Sequence, residues 1–281
     1  MVVTQPDRPS GRGKHVKTPA IKEYCQKEKL LCVQPKKMKD EKFLDQLRSL
    51  EAKTFLVAAY GRILPFLLLE IPKLILNVHA SLLPRWRGAA PIQKAIWSGD
   101  LESGVSIMRL VQELDAGDVL SARSTPIGPD ETGGELESRL ASIGGALLVE
   151  ALDQLDRGEG QFQKQDQSRV TLAPPIRSEE GRIDWSRPSQ EVHNHVRAFN
   201  PRPGAFALDQ GKRLKVHRTA LCDKAADSTE PGKLRSSAGR LYVACSDRWL
   251  EVREVQKEGR AAQKVSAFLP GYRDLEKRQW E

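Results

Sequence analysis

Two short runs restrict this chain more than any others. Phe55-Leu-Val-Ala-Ala59 and Leu74-Ile-Leu-Asn-Val78 are apolar at almost every position. A strand with one wet face alternates, whereas a continuous run of this length suits a strand covered on both faces. The covering layers must then be helices, and the sequence supplies them. Phe43, Leu44, Leu47 and Leu50 recur at helical spacing in Asp40 to Ala52. Ala90 to Ser98 and Glu135 to Asp156 read the same way, the latter with Leu136, Leu140, Ile143, Leu147, Leu148, Ala151, Leu152 and Leu155 on one face. Residues 20–29 form a further short helix, and Leu30 to Val33 a short buried strand. Gly104 to Val111 and Val119 to Ile127 complete a strand–helix alternation, which predicts an α/β domain with a largely parallel sheet.

The pattern changes after residue 173. Ala173-Pro-Pro-Ile-Arg-Ser-Glu-Glu-Gly181 is a linker by composition, and Ser189 to Phe199 is one more helix. Short strands follow at Ala205–Leu208, Arg213–Ala220, Lys233–Leu234, Arg240–Ala244 and Trp249–Arg253, with a turn at Asp209-Gln-Gly211. Short strands at such spacing predict a small β-barrel of OB-like type. The expected organisation is a catalytic domain over 1–173, a linker over 174–188 and a C-terminal OB-like domain over 189–281.

The chain has 45 Lys and Arg against 37 Asp and Glu, a net charge of +8. A basic balance suits a polyanionic partner without requiring one. The segment 5–19, QPDRPSGRGKHVKTP, carries Arg8, Arg12, Lys14 and Lys17 with no apolar period, and reads as a mobile surface loop. Lys212, Arg213, Lys215, Arg218, Lys233 and Arg235 place further charge on the predicted barrel. The most apolar stretch, Ile63 to Leu76, is broken by Pro65, Glu70, Pro72 and Lys73, so no membrane span is expected. Cys25, Cys32, Cys222 and Cys245 form no Cys-x-x-Cys pair, and free thiols are expected.

Chemistry concentrates in Asn77-Val-His79-Ala-Ser-Leu-Leu-Pro84-Arg-Trp-Arg-Gly88-Ala-Ala-Pro91. Residues two apart on a strand point to one face, and ligands of open α/β sheets bind beyond the carboxyl ends of strands. An amide and an imidazole there can hold an oxyanion and move a proton. The alternative is a capping asparagine and a satisfied core histidine. Glu113-Leu-Asp115-Ala-Gly117-Asp118 puts Asp115 on a second loop, where a plain Asx turn is the alternative. His193-x-His195 does not suit one helical face, and both are read as ordinary helix residues.

Asn-x-His-x-Ser-Leu-Leu-Pro, the following Arg-Gly and the later Leu-Asp-x-Gly-Asp resemble the formyltetrahydrofolate-dependent formyltransferases. Thr4 to Lys14, with its Pro-Asp-Arg-Pro, resembles the loop that one branch of this family inserts into a tRNA acceptor stem. Tyr60-Gly-Arg-Ile-Leu-Pro65, Arg182-Ile-Asp-Trp185 and Arg197-Ala-Phe-Asn-Pro201 match that branch as well. The resemblance implies a Rossmann-like doubly wound parallel sheet followed by the OB-like barrel. It implies formyl transfer from 10-formyltetrahydrofolate to the amino group of initiator methionyl-tRNA, in translation initiation. Asn77, His79 and Asp115 would be catalytic. Asn77 would hold the oxyanion, His79 would polarise the same oxygen, and Asp115 would orient His79 and accept the amine proton. Ser81, Leu82, Leu83, Pro84, Ile63 and Leu64 would wall the folate. Arg8, Arg12 and Lys14 would contact tRNA. No metal is implied. A cytoplasmic bacterial monomer is expected, with an organellar source as the alternative. The competing functions are a formyltransferase for a small amine, either a nucleotide sugar or glycinamide ribonucleotide, and a non-catalytic RNA-binding relative.

One departure stands out. The family places a strand, a loop and a helix before the strand that ends at Met1-Val-Val-Thr4, a unit of about 30 residues. In a doubly wound sheet that strand is central. Without it two neighbours keep unpaired backbone groups, at about 1–3 kcal/mol each when buried. The expectation is a truncated or misassigned start. Only if the chain as written is the true product is it expected to fold poorly and to be nearly inactive.

Overall fold

The computed structural model describes residues 1–10, 15–226, 230–272 and 274–281. In the first half the elements are β1 (Val2–Val3), β2 (Arg8–Ser10), β3 (His15–Lys17), α1 (Ala20–Lys27), β4 (Cys32–Val33), α2 (Glu41–Arg48), β5 (Thr54–Ala58), α3 (Phe66–Leu69), β6 (Leu74–His79), β7 (Arg87–Gly88), α4 (Pro91–Trp97), β8 (Glu102–Arg109), β9 (Val119–Pro126), α5 (Gly133–Asp156) and β10 (Leu172–Ala173). The central sheet has the order β5-β6-β8-β9. β5 and β6 are parallel, while β8 runs antiparallel to both β6 and β9. The sheet is therefore mixed. β8 and β9 are joined by the short loop 110–118, and a connection that short can only return the chain antiparallel.

The two faces of β6 sort its side chains. Leu76 belongs to the main core with Val105, Ile107 and the buried residues of α5, and Val78 packs against that core. A Cβ on Gly144 of α5 would lie 2.9 Å from Val78, so the helix backbone sits directly on this strand. Ile75, on the opposite face, joins Phe43, Leu44 and Leu47 of α2 in a separate cluster. The Thr132–Glu135 capping box starts α5, two reciprocal bonds that satisfy its first donors.

β5 differs from its expected burial. Leu56 is 49% exposed, and none of its five residues is fully buried. Its only ladder among the described residues is with β6, and β1 pairs only with β4 in a separate two-stranded sheet. A strand at a sheet margin has one edge to fill, which leaves its outer side chains less covered. Leu30 and Leu31 are likewise exposed, and the strand beside them is only Cys32–Val33. The basic segment expected as a loop contains a hairpin instead, with β2 antiparallel to β3. Arg12 and Lys14 lie outside the described residues.

The second half adds α6 (Ser189–Phe199), β11 (Ala205–Asp209), β12 (Lys212–Ala225), β13 (Leu234–Ser237), β14 (Arg240–Ala244), β15 (Arg248–Lys257), β16 (Gln263–Lys264) and α7 (Val265–Phe268). The strand order is β11-β12-β15-β14-β13, with β16 on β15. Residues 278–281 bridge the two outer strands. Glu281 exchanges both backbone bonds with Leu208, and Leu234 N–H donates to Arg278 O. Trp280 beside them is buried, and its indole N–H donates to the Tyr272 hydroxyl. This bridge closes the sheet into a barrel. Ile183 N–H donates to Phe206 O, so residues after 181 already run along β11.

α6 joins the halves. His193 bonds to Thr219 of β12 and to the Pro129 carbonyl, and His195 stacks on Trp97 of α4. Both are buried, hydrogen-bonded helix residues. One hydrophobic cluster runs from Leu76 through Phe199 to Trp280. Among the described residues no helix is long and apolar enough to cross a membrane, and all four cysteines are free thiols.

Candidate active site

Asn77 and His79 lie on the face of β6 opposite Val78, as period-two geometry requires. They sit at the carboxyl end of the strand, beside the parallel end of β5, where Ala58 is in register with Val78. The Asn77 amide has no hydrogen-bond partner among the described residues and is only partly buried. His79 is 5% exposed. Its Nε2 lies 2.9 Å from the Trp86 carbonyl, which can only accept, so Nε2 carries the hydrogen. Nδ1 then faces Asp115, with Oδ2 at 3.6 Å. That is too long for a direct hydrogen bond and within the reach of an ion pair.

Two tight approaches hold Asp115 there. Gly88 N–H donates to its Oδ2 at 2.8 Å. Gly88 has φ +124° and approaches β10 so closely that a Cβ would stand 2.5 Å from the Ala173 carbonyl oxygen. Gly117, two residues past Asp115, would put a Cβ 1.9 Å from the Arg109 carbonyl oxygen. Only glycine fits either position. Asp115 itself has φ 46°, a conformation uncommon for a residue with a side chain.

The loop between Asn77 and α4 is fastened by residues that sequence reasoning missed. Buried Ser106 of β8 donates to the Ser81 carbonyl and accepts from Leu83 N–H. Asp100 accepts two bonds from Arg85 and one from the Trp86 indole. Thr171 accepts from Trp86 N–H. Gln165 donates to the carbonyls of Asp115 and Gly117 and accepts from the buried Arg87. Most of these partners lie too far away in sequence for a local motif to signal them.

The residues expected to wall a folate are less uniform. Leu82 packs over Gly104, while Leu83 and Pro84 are half-buried. The Ser81 hydroxyl is taken by the Arg85 carbonyl. Ile63 follows the end of β5 and is 93% exposed, whereas Leu64 packs against the α2 cluster. Arg8 is exposed at the base of the basic hairpin and donates to Gln5, whose own amide donates to the Tyr60 carbonyl beside Ile63. Gln34 and Lys22 hold the Asp7 carboxyl below its usual range. The hairpin is thus rooted next to the strand ends that carry Asn77.

On the barrel, Arg218 is paired with Glu135 and Glu254, and Lys233 with Glu230. The backbone N–H of Thr132 and the Arg218 guanidinium pull the Glu135 carboxyl down to about 2. Arg213 stacks on Phe206 at 4.3 Å, and together with Lys215 and Lys257 it lines a cleft of about 290 Å³. Among the described residues no group of three or more His, Cys, Asp or Glu side chains is placed to hold a metal ion.

Known proteins match along both halves. Residues 1–152 match the Formyl transferase family, and residues 175–273 match the Formyl transferase, C-terminal domain family. The methionyl-tRNA formyltransferase of Acidobacterium capsulatum is 44% identical over 274 residues, covering 96% of this chain and 88% of that protein. That of Anaeromyxobacter dehalogenans is 45% identical over 276 residues, covering 97% and 88%. The fold resembles HypX from Aquifex aeolicus in complex with tetrahydrofolic acid, at a TM-score of 0.67 and 18% identity over 88% of this chain and 44% of that one. It also resembles the N-formyltransferase of Helicobacter canadensis in complex with folinic acid and dTDP-3-aminofucose, at a TM-score of 0.66 and 17% identity over 89% and 86%. With two relatives above 40% identity along nearly the whole chain, and both halves matched in order, the chain belongs to the formyl transferase family.

Proposed function

We propose that this chain formylates the amino group of initiator methionyl-tRNA, with 10-formyltetrahydrofolate as donor and Asn77, His79 and Asp115 as the catalytic residues. The observation that carries the reading is the unpartnered Asn77 amide, two residues from an imidazole that abuts Asp115 at 3.6 Å. The folate fits this place: an open amide donor sits at the strand end, with Leu82, Leu83, Pro84 and exposed Ile63 as apolar surface nearby. When bound, the donor supplies an electrophilic formyl carbon.

As the amine attacks, the formyl oxygen gains charge and the Asn77 N–H donates to it. A donor of this kind is commonly worth about 10²–10³ in rate. His79 has its Nε2–H on the Trp86 carbonyl, so its open nitrogen is Nδ1, on the Asp115 side. The proton lost by the attacking amine therefore goes to the Nδ1–Asp115 pair and is returned to the departing nitrogen. This route gives the oxyanion chiefly to Asn77 and the proton to His79 and Asp115 together.

For the tRNA, Arg8 at the base of the hairpin, with Arg12 and Lys14 of the same basic segment, contacts the acceptor end. The Arg213–Lys215–Lys257 cleft takes backbone phosphate further along the same molecule. The reading includes a monomer in the bacterial cytoplasm. The test is formylation of charged initiator methionyl-tRNA with 10-formyltetrahydrofolate by the wild type, extended upstream by the strand, loop and helix that the family places there, and by the same protein with His79→Ala. Formyl-methionine from wild type, lost in His79→Ala, is expected. Formylation of amino sugars or other small amines, with none of methionyl-tRNA, would overturn the substrate assignment.

A further inference from the structure

We infer that Gln165 is a positioning residue for formyl transfer: its amide sets the 113–118 loop, and so the place of Asp115 relative to His79. The inference rests on the catalytic assignment of Asp115 made above. After α5 the chain doubles back along the site. Gln163 exchanges two backbone hydrogen bonds with Val119, and further on β10 pairs with β7. Between these anchors Gln165 is the only buried residue from 161 to 170.

Its side chain ties two loops together. Both amide hydrogens are used, one on Asp115 O at 2.8 Å and one on Gly117 O at 2.7 Å. Its Oε1 accepts from Arg87 Nε at 3.0 Å. Arg87 is 3% exposed and precedes Gly88, whose N–H holds the Asp115 carboxylate. One amide thus grips the backbone of Asp115, while its carbonyl fixes the strand that grips the side chain. Asp115 needs such a hold because its left-handed φ of 46° is not one that the residue prefers. Without the two donors the loop is free to relax, and the carboxylate leaves its place beside Nδ1. A misplacement of about 1 Å in a reacting group costs about 10²-fold in rate.

A glutamine that merely satisfied buried carbonyls would lower stability and leave the turnover of the folded enzyme intact. Two variants separate the cases. Gln165→Met keeps length and removes every hydrogen bond. Gln165→Glu keeps the acceptor for Arg87 and removes both donors, and it carries the test if the first variant melts early. For each, kcat, both KM values and the melting temperature are measured, alone and combined with Asp115→Asn. The expected result is a fall in kcat of about 30- to 100-fold with both KM values nearly unchanged. In the Asp115→Asn background the same substitutions cost less than about threefold, because residues acting as a unit are non-additive. Wild-type kcat in either Gln165 variant, or a full multiplicative loss on top of an impaired Asp115→Asn, overturns the inference alone. Wild-type kcat in Asp115→Asn by itself overturns the assignment of Asp115 and this inference with it.

Discussion

Acid should loosen the joint between the two halves through His195. Its imidazole lies flat on Trp97, with centroids 5.0 Å apart at 16°, and Phe199 meets it edge-on at 4.5 Å. Nε2 donates to the Glu180 carbonyl. Burial drives the ring from its ordinary 6.5 to about 4, opposed by that carbonyl and by Glu180 and Asp184, and reinforced by Lys94. A base depressed in this way is neutral in the folded chain and still takes a proton in the unfolded one. Its contribution is complete above about pH 6.5 and is lost as pH falls from there toward about 4. Each unit in that window is worth about 1.4 kcal/mol, which bounds the effect near about 3 kcal/mol and puts about 2 kcal/mol of it between pH 7 and pH 5. Burial lowers His193 in the same direction, so its loss adds to that of His195. The assay is urea unfolding at pH 7 and pH 5, for wild type and for His195→Gln, whose amide can still donate to the Glu180 carbonyl. The variant should lose about 2 kcal/mol less than wild type between the two pH values. Equal losses, within about 0.5 kcal/mol, would refute the argument.

Three further outcomes follow from the site and the barrel. Asn77→Ala should lower kcat by about 10²–10³-fold with an unchanged melting temperature, because no protein partner loses a hydrogen bond; a large melting shift would contradict that. Gly88→Ala should destabilise the chain by about 1–3 kcal/mol through backbone strain alone, and by more through the contact with Ala173. It should also depress kcat, since Asp115 loses its fixed N–H. Both are read from a denaturant melt and an initial-rate assay. Arg213→Ala or Lys257→Ala should weaken tRNA binding, each reducing the salt slope by about 1, while the KM for folate stays the same. Filter binding across a salt series decides the point, and an unaltered slope removes the cleft from the tRNA path.

Periodicity made the long elements legible. α5 spans Gly133–Asp156, starting three residues before and ending one residue after the Leu136–Leu155 stripe that announces it, and α6 begins and ends where its pattern does. β6 was readable from its apolar run, and with it the placement of Asn77 and His79 on one face. The basic segment was not, because a hairpin of Arg8–Ser10 with His15–Lys17 carries no apolar alternation and is set by backbone pairing. Strand direction in β8 and β9 was hidden for a different reason. An apolar strand reads the same in either direction, and only the length of the joining loop distinguishes them. The exposure of Leu56 depends on what lies beside β5, which its own composition does not encode. At the site, the motif names the groups that face the chemistry and leaves out those that hold them. Ser106, Asp100, Thr171 and Gln165 are ordinary polar residues whose partners are brought close only by the folded chain.

The uninterrupted cluster from Leu76 to Trp280 has a mechanical consequence. Two lobes joined by a tether would have to search for the arrangement that serves a long substrate, and each binding event would bear the entropy of that search. Here α6 is packed into both halves, so the span from the barrel cleft to the Asn77 amide behaves as a ruler of fixed length. A molecule gripped at one end arrives at the other with its reach already determined. Discrimination by length then needs no contact along the middle. If the cleft holds the tRNA as proposed, a stem longer or shorter by a base pair would be held as firmly and would present its amine in the wrong place.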